Sequence, residues 1–383
     1  MDFGFSEEIE LLRKTVRKFL EKECPNELVR KWDEEKTFPY ELQEKMIDIG
    51  LFALPFPEEY GGTNGTPLEF IIVAEEMGRK GYDIAGVYGL SLFNALTILH
   101  HGTEEQKRYY IPKVIKGEIR LSISVTEPDA GSDAGGIKTT AAQESDYFII
   151  NGQKVFSTGA HARNNIITLA CRTDLNVSHH KGTSILLVDS DAPGVEIRRL
   201  DTLGRRIIGT NEIFFTDVKV SKDRLLGPLN GGWEVLTSGL EFERLFTCAA
   251  YVGNAQTVVD EALQYAKERV QFGRPIGNFQ AIAHMLADMQ TEVEAARLLT
   301  YRAAWMLTKG IPCLKEVSMA KLFGSETFVK AASIGMQILG GYGYMMEYNM
   351  QRYFRDARIT TVTAGTSQIQ RNIIARFMGL KPK

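Results

Sequence analysis

The chain has 383 residues, 44% hydrophobic and 24% charged, with 45 basic against 48 acidic side chains and a net charge of −3. Length and composition describe a globular protein of two or three structural units with ample core, and the near-neutral charge excludes the electrostatic footprint of a nucleic-acid binder. No run approaches the roughly 18 apolar residues of a membrane span, and the opening MDFGFSEEIELLRK has neither a signal-peptide apolar core nor an acid-poor transit segment, so a cytoplasmic location is expected.

Residues 1–118 read as helices. Ile9, Leu11, Leu12, Val16, Phe19 and Leu20 recur at helical spacing within 8–22. The texture repeats over 39–49 and 68–79, and a further helix over 104–115 opens on Thr103 as N-cap. Residues 119–230 change to short runs of β-branched and aromatic residues: LSISVTE, YFIINGQKV, NIITLACRT, TSILLVDS, VEIRRL and EIFFTDVKV. Asn151-Gly152 predicts a hairpin turn. From 231 to 383 helices return, over 233–253, 255–270, 276–308, 317–339 and 366–378, as an antiparallel bundle. The fold class is therefore mostly α with a central β unit: helical domain, barrel-like β domain, four-helix bundle. Helix, sheet and helix in separate blocks exclude the alternation of a doubly wound nucleotide-binding fold. Gly340, Gly341 and Gly343 follow a helix rather than a strand, so they are no dinucleotide fingerprint.

Cys24, Cys171, Cys248 and Cys313 are widely separated and read as free thiols. The adjacent pairs His100-His101 and His179-His180 lack ligand spacing, so no metal site is expected. Arg355 and Asp356 are expected to form a structural ion pair.

Five strings carry chemistry: VTEPDAGSD (125–133), NGQKVFSTGA (151–160), KERVQFGRPIGNFQ (267–280), MQILGGYGY (336–344) and AGTSQ (364–368). Together they resemble the acyl-CoA dehydrogenase family over nearly the whole chain. The resemblance implies one FAD per subunit, a homotetramer, an acyl-CoA or carrier-bound acyl substrate, and an electron-transferring flavoprotein as partner. By resemblance Val125 and Thr126 contact the flavin, Phe156 walls it and Thr158 approaches its N5. Arg269, Phe272, Gln280, Gln337 and Gly341 meet FAD across a subunit interface. Thr366 and Gln368 are further FAD contacts, and Ser132 and Arg244 are CoA-side contacts. The residue types suit these roles: Arg grips phosphate in bidentate fashion, aromatic rings stack on flat heterocycles, and glycine lets a phosphate approach the backbone.

One position breaks the pattern. The family's usual base is a Glu immediately before Gly-Thr-Ser-Gln, and here it is Ala364. A methyl group accepts no proton, although the backbone N–H of Ala364 remains for an enolate oxygen. Some branches carry the base on the first long bundle helix, directly before an Arg, and Glu243-Arg244 has that arrangement. Leu240, Phe242, Leu245 and Phe246 mark this helix as buried, where a carboxylate is costly without a purpose. Glu243 is the expected base, with Glu241, or no protein base, as alternatives. The expected reaction is α,β-dehydrogenation of an acyl thioester. The same scaffold also serves an enoyl-CoA reductase, a carrier-protein acyl dehydrogenase, or an oxygen-using flavin oxidase or monooxygenase.

Overall fold

Helices begin the chain. In the computed structural model, which describes residues 4–382, they are α1 (Glu7–Glu23), α2 (Asn26–Glu35), α3 (Tyr40–Asp48), α4 (Pro67–Gly78), α5 (Tyr82–His101) and α6 (Glu104–Ile115). Thr66 and Thr103 each close a capping box, with Glu69 and Gln106 reaching back to the cap N–H. The strands follow: β1 (Arg120–Ser124), β2 (Thr140–Gln143), β3 (Tyr147–Thr158), β4 (Asn165–Arg172), β5 (Thr183–Asp189), β6 (Val195–Leu200), β7 (Thr210–Ser221) and β8 (Leu225–Leu226). They form one eight-stranded sheet in the order β6-β7-β3-β2-β4-β5-β8, with β1 added parallel to β4. One apolar cluster, including Phe148, Ile150, Ile167, Leu169, Leu186 and Ile213, belongs to this sheet.

The helical part resumes with α7 (Gly232–Glu268), then the small ribbon β9 (Val270–Gln271) and β10 (Arg274–Pro275). After it come α8 (Gln280–Thr308), α9 (Leu314–Leu339), α10 (Gly341–Tyr344), α11 (Met350–Thr360) and α12 (Ser367–Phe377). Helix α7 packs on α8, α9, α4 and α5, and α9 also carries α11 and α12, so a second core joins both helical regions.

Several expectations need correction. Asn151-Gly152 makes no hairpin. It lies inside β3 at an irregularity opposite β7, where Asn151 Nδ2 donates to Asp217 Oδ1 (2.9 Å) and Asp217 N–H donates back to Asn151 Oδ1 (2.9 Å). The glycine there serves a bulge rather than a turn. The two helices expected to meet near Gly253 are the single helix α7. Gly253 is a crossing point: a Cβ on it would lie 2.0 Å from the Glu75 carbonyl oxygen, and one on Gly78 would lie 2.3 Å from that of Ala250. Helix α5 went unrecognised because it is buried on nearly every side and has no polar stripe. It is also long and apolar enough to cross a membrane, contrary to the sequence reading, but most of it is packed inside the protein. Arg355 and Asp356 do not pair with each other. Arg355 Nη2 donates to Asp33 Oδ2 of α2 (2.5 Å), and Asp356 Oδ1 accepts the Arg205 N–H (2.7 Å).

Candidate active site

Helices α5 and α7 lie side by side and face the sheet across β1, β4 and β5. Between them runs a narrow, nearly closed cleft of about 10 Å³. Phe93, Asn94 and Thr97 line it from α5; Val235, Leu236, Gly239 and Glu243 from α7; Ile123 and Val125 from β1 and its following loop; and Thr168, Ala170 and Ile185 from β4 and β5. Glu243 and Val125 thus share one cleft. Among the described residues Glu243 is the only carboxylate in the lining. Its side chain is half-buried, and desolvation pushes its carboxyl above the usual carboxylate range against the opposing pull of Arg244, Arg205 and Lys321.

The loop after β1 is fixed by a buried ion pair that the sequence did not disclose. Lys154 Nζ donates to Glu127 Oε1 and to the Val125 carbonyl, both at 2.8 Å, and Glu127 also accepts the N–H groups of Lys138 (2.6 Å) and Thr139 (2.9 Å). The Val155 N–H donates to the Thr126 carbonyl (2.9 Å), and the Ser124 and Ser157 hydroxyls meet at 2.6 Å. Val125, Thr126, Phe156 and Thr158 are therefore drawn together at the end of β1. Phe156 is not a core residue: it sits at φ 61° beside a β-ladder irregularity with its ring 64% exposed. Ser132 is exposed in the 126–136 loop, whose Gly135 lies under the His180 ring, and that ring packs on Trp233 of α7 at 4.1 Å.

The turn between α11 and α12 lies against α7. Ala364 takes φ 53° and Gly365 φ 86°. The Ala364 carbonyl accepts from Arg244 Nε (2.9 Å) and Gln370 Nε2 (3.1 Å). The N–H groups of Ala364, Gly365 and Thr366 find no acceptor among the described residues. Thr366 caps α12 by accepting the Ile369 N–H (3.2 Å), and Gln368 is exposed. Arg244 is buried and committed to that carbonyl, so it joins α7 to the turn.

Arg269, Phe272, Gln280, Gln337 and Gly341 gather elsewhere. Arg269 follows the last residue of α7, 26 positions beyond Glu243, which at 1.5 Å per residue places it about 39 Å away along the helix. All five are exposed, Phe272 at 94%, and the Arg269 guanidinium lies 5.7 Å from the Tyr342 ring centre. Within one chain the site residues thus form two groups, farther apart than one dinucleotide stretches.

Residues 6–118, 122–218 and 230–379 match, respectively, the profiles "Acyl-CoA dehydrogenase, N-terminal domain", "middle domain" and "C-terminal domain". The chain belongs to the acyl-CoA dehydrogenase family. This family enzyme is 41% identical to the 3-(aryl)acrylate reductase of Clostridium sporogenes, over 97% of this chain and 98% of that one. It is 40% identical to the caffeyl-CoA reductase-Etf complex subunit CarC of Acetobacterium woodii, over 98% and 99%. The butyryl-CoA dehydrogenase structure from Megasphaera elsdenii superposes with a TM-score of 0.95 at 30% identity, covering 99% of this chain and 100% of that one.

The family is FAD-dependent, and the residues present suit that cofactor. Arg269 has no carboxylate within ion-pairing distance among the described residues, Phe272 and Phe156 offer exposed rings, and the 364–366 turn offers free N–H groups. Sequence reasoning missed Thr168. Its Oγ1 is buried in the cleft lining without a hydrogen-bond partner, and its only sequence signal was a hydroxyl within an otherwise apolar strand. Thr97 was missed as a lining residue because α5 itself was missed. Tyr88, also on α5, is a core residue whose hydroxyl donates to the Leu51 carbonyl (3.3 Å).

Proposed function

We propose that this enzyme interconverts an acyl thioester and its 2-enoyl counterpart, with Glu243 moving the proton on the carbon next to the carbonyl. The observation that carries this reading is that Glu243 is the only carboxylate lining the cleft among the described residues, while position 364 offers a methyl group. A carboxyl whose proton affinity is raised by burial is matched to removing a weakly acidic C–H proton near neutral pH. The Ala364 N–H donates to the thioester oxygen as negative charge develops there. FAD, held by the residues named below, would supply the two-electron acceptor for the hydrogen on the next carbon.

Val125, Thr126, Phe156 and Thr158 hold the flavin ring, with Thr366 and Gln368 as further contacts. Arg269, Phe272, Gln280, Gln337 and Gly341 of a neighbouring subunit hold the rest of the cofactor, in a homotetramer. The length of α7 supports that division, since one chain's two groups do not reach one cofactor. Ser132 and Arg244 lie on the CoA side, Arg244 by fixing the Ala364 peptide. The chain divides for this purpose into 1–118, 119–230 and 231–383, and an electron-transferring flavoprotein exchanges electrons with it in the cytoplasm.

A second reading concerns direction. Two relatives at 41% and 40% identity are named as reductases of aryl-bearing acrylic compounds, one within an Etf complex. They favour reduction of an arylacrylyl thioester. The test is anaerobic: the FAD-loaded protein is mixed with straight-chain, branched and 3-arylpropanoyl-CoA esters and followed by flavin bleaching. The reduced protein is mixed with the matching enoyl esters and followed by reoxidation. Absence of both responses across the panel would refute the proposed chemistry.

A further inference from the structure

Lys321 lies on α9 with its side chain wholly buried. Among the described residues no carboxylate stands within ion-pairing distance of it. A buried ammonium without a counter-ion is expensive, so its bonding partners carry information. Both are backbone carbonyls around the turn that replaces the family's usual base: Thr360 at 2.9 Å and Gly365 at 2.8 Å. Gln370 Nε2 of α12 donates to the Gly365 carbonyl at 3.0 Å and the Ala364 carbonyl at 3.1 Å, and Arg244 Nε of α7 reaches the Ala364 carbonyl at 2.9 Å. Three side chains from three helices thus take the carbonyl side of a turn whose N–H groups, at 364, 365 and 366, are all unspent.

We infer that Lys321 is a positioning residue for the oxyanion donor: it anchors the Gly365 carbonyl so that the left-handed Ala364 peptide keeps its N–H free for the thioester oxygen. This rests on the proposed function, which assigns that N–H to the oxygen. The left-handed conformation at Ala364 strengthens the case, because an L-residue at φ 53° relaxes toward negative φ unless its carbonyls are held. Burial pushes the Lys321 ammonium down to about 8, with Glu243 drawing it back up. The cation therefore serves two ends, neutralising carbonyl dipoles and lying within electrostatic reach of the carboxyl that moves the proton.

A Lys with a merely structural role and one that presets an oxyanion donor differ in which ligands they affect. The probes are acetoacetyl-CoA, whose acidic C–H lets it bind as an enolate, and S-butyl-CoA, a thioether with no carbonyl. Dissociation constants are measured on FAD-loaded wild type, Lys321→Met and Gln370→Leu, each checked for flavin content and assembly state. The second variant removes another donor to the Gly365 carbonyl and stands in if Lys321→Met fails to fold. The expected result is a tenfold to hundredfold weaker affinity for acetoacetyl-CoA with S-butyl-CoA unchanged within twofold, and a kcat loss without a matching rise in KM. Equal weakening of both ligands, or of neither, would overturn the role of Lys321. Wild-type protein that bound acetoacetyl-CoA no more tightly than the thioether would instead remove the oxyanion assignment beneath it.

Discussion

Replacing Glu243 by Gln keeps the side chain's size and its place in the cleft but takes away the acceptor for the α-proton. The structure offers little to substitute. Among the described residues no other carboxylate lines the cleft. Glu241 is two positions away on the same helix, hence on a different face, and its Oε1 accepts the Cys313 thiol at 3.6 Å. General-base contributions span about 10²–10⁴-fold, and with no neighbouring acceptor the loss belongs at the upper end, near 10⁴-fold or about 5.4 kcal/mol of barrier. The assay is the anaerobic rate of flavin bleaching at saturating ester, with flavin content and ester affinity measured in parallel and unchanged. The pH dependence gives a second readout. Proton abstraction needs ionised Glu243, and its raised pKa places the acid limb above the ordinary carboxylate range. That limb disappears in the Gln variant. Stability moves the opposite way: the folded state binds this proton more tightly than the unfolded state, so the native carboxyl costs stability as pH climbs from the unfolded pKa, about 4.3, through the raised folded one. Glu243→Gln is therefore more heat-stable than wild type at neutral pH and indistinguishable from it in strong acid. A bleaching rate within about tenfold of wild type would refute the argument, since that is less than a positioned base contributes.

Moving the carboxylate in the double variant Glu243→Ala/Ala364→Glu should restore part of the bleaching rate. Full recovery is not expected, because the carboxylate would then reach the α-carbon from a different backbone origin; a flavin-replete double variant with no recovery would show that the two positions are not interchangeable. Lys154→Met leaves Glu127 as an unpaired buried carboxylate and should cost about 3–5 kcal/mol in denaturant unfolding, with flavin lost from the Val125–Thr126 loop; addition of Glu127→Gln should recover part of the stability, and strict additivity of the two changes would show that the pair is not coupled. Arg269→Ala should raise the dissociation constant for FAD about tenfold to a hundredfold, as expected for a charged phosphate contact, without changing ester affinity once the cofactor is saturating. Unchanged FAD affinity would remove Arg269 from the cofactor site.

The periodic parts of the fold were readable. Alternating strands such as Val195–Leu200, and helices with a cap and one wet face such as Glu104–Ile115, declare themselves in a single sequence. Where burial is complete the signal fails: α5 has apolar residues on all sides and reads as no particular element. Gly253 and Asn151-Gly152 misled for a related reason, since glycine marks either a chain reversal or a close approach and only the neighbour decides which. In the site, Glu243 was singled out because some branches of the resembled family place the base directly before an Arg on this helix, and the apolar residues around it mark that helix as buried. Lys154, Glu127 and Lys321 were not, because charged residues in a strand or helix ordinarily face water. Their role depends on partners 27 residues away for Lys154 and Glu127, and 39 and 44 away for the carbonyls that Lys321 holds.

The 37 residues of α7 carry Glu243, the proposed base, near one end, and Arg269, the proposed phosphate contact, follows the other. A lesion at either end would therefore fall on different catalytic centres of an assembled enzyme. Two crippled versions, one altered at Glu243 and one at Arg269, would then regain turnover when co-expressed, because some hybrid assemblies collect both defects in one centre and leave another whole. Such rescue between defective alleles is the genetic signature of a rod that works for two masters.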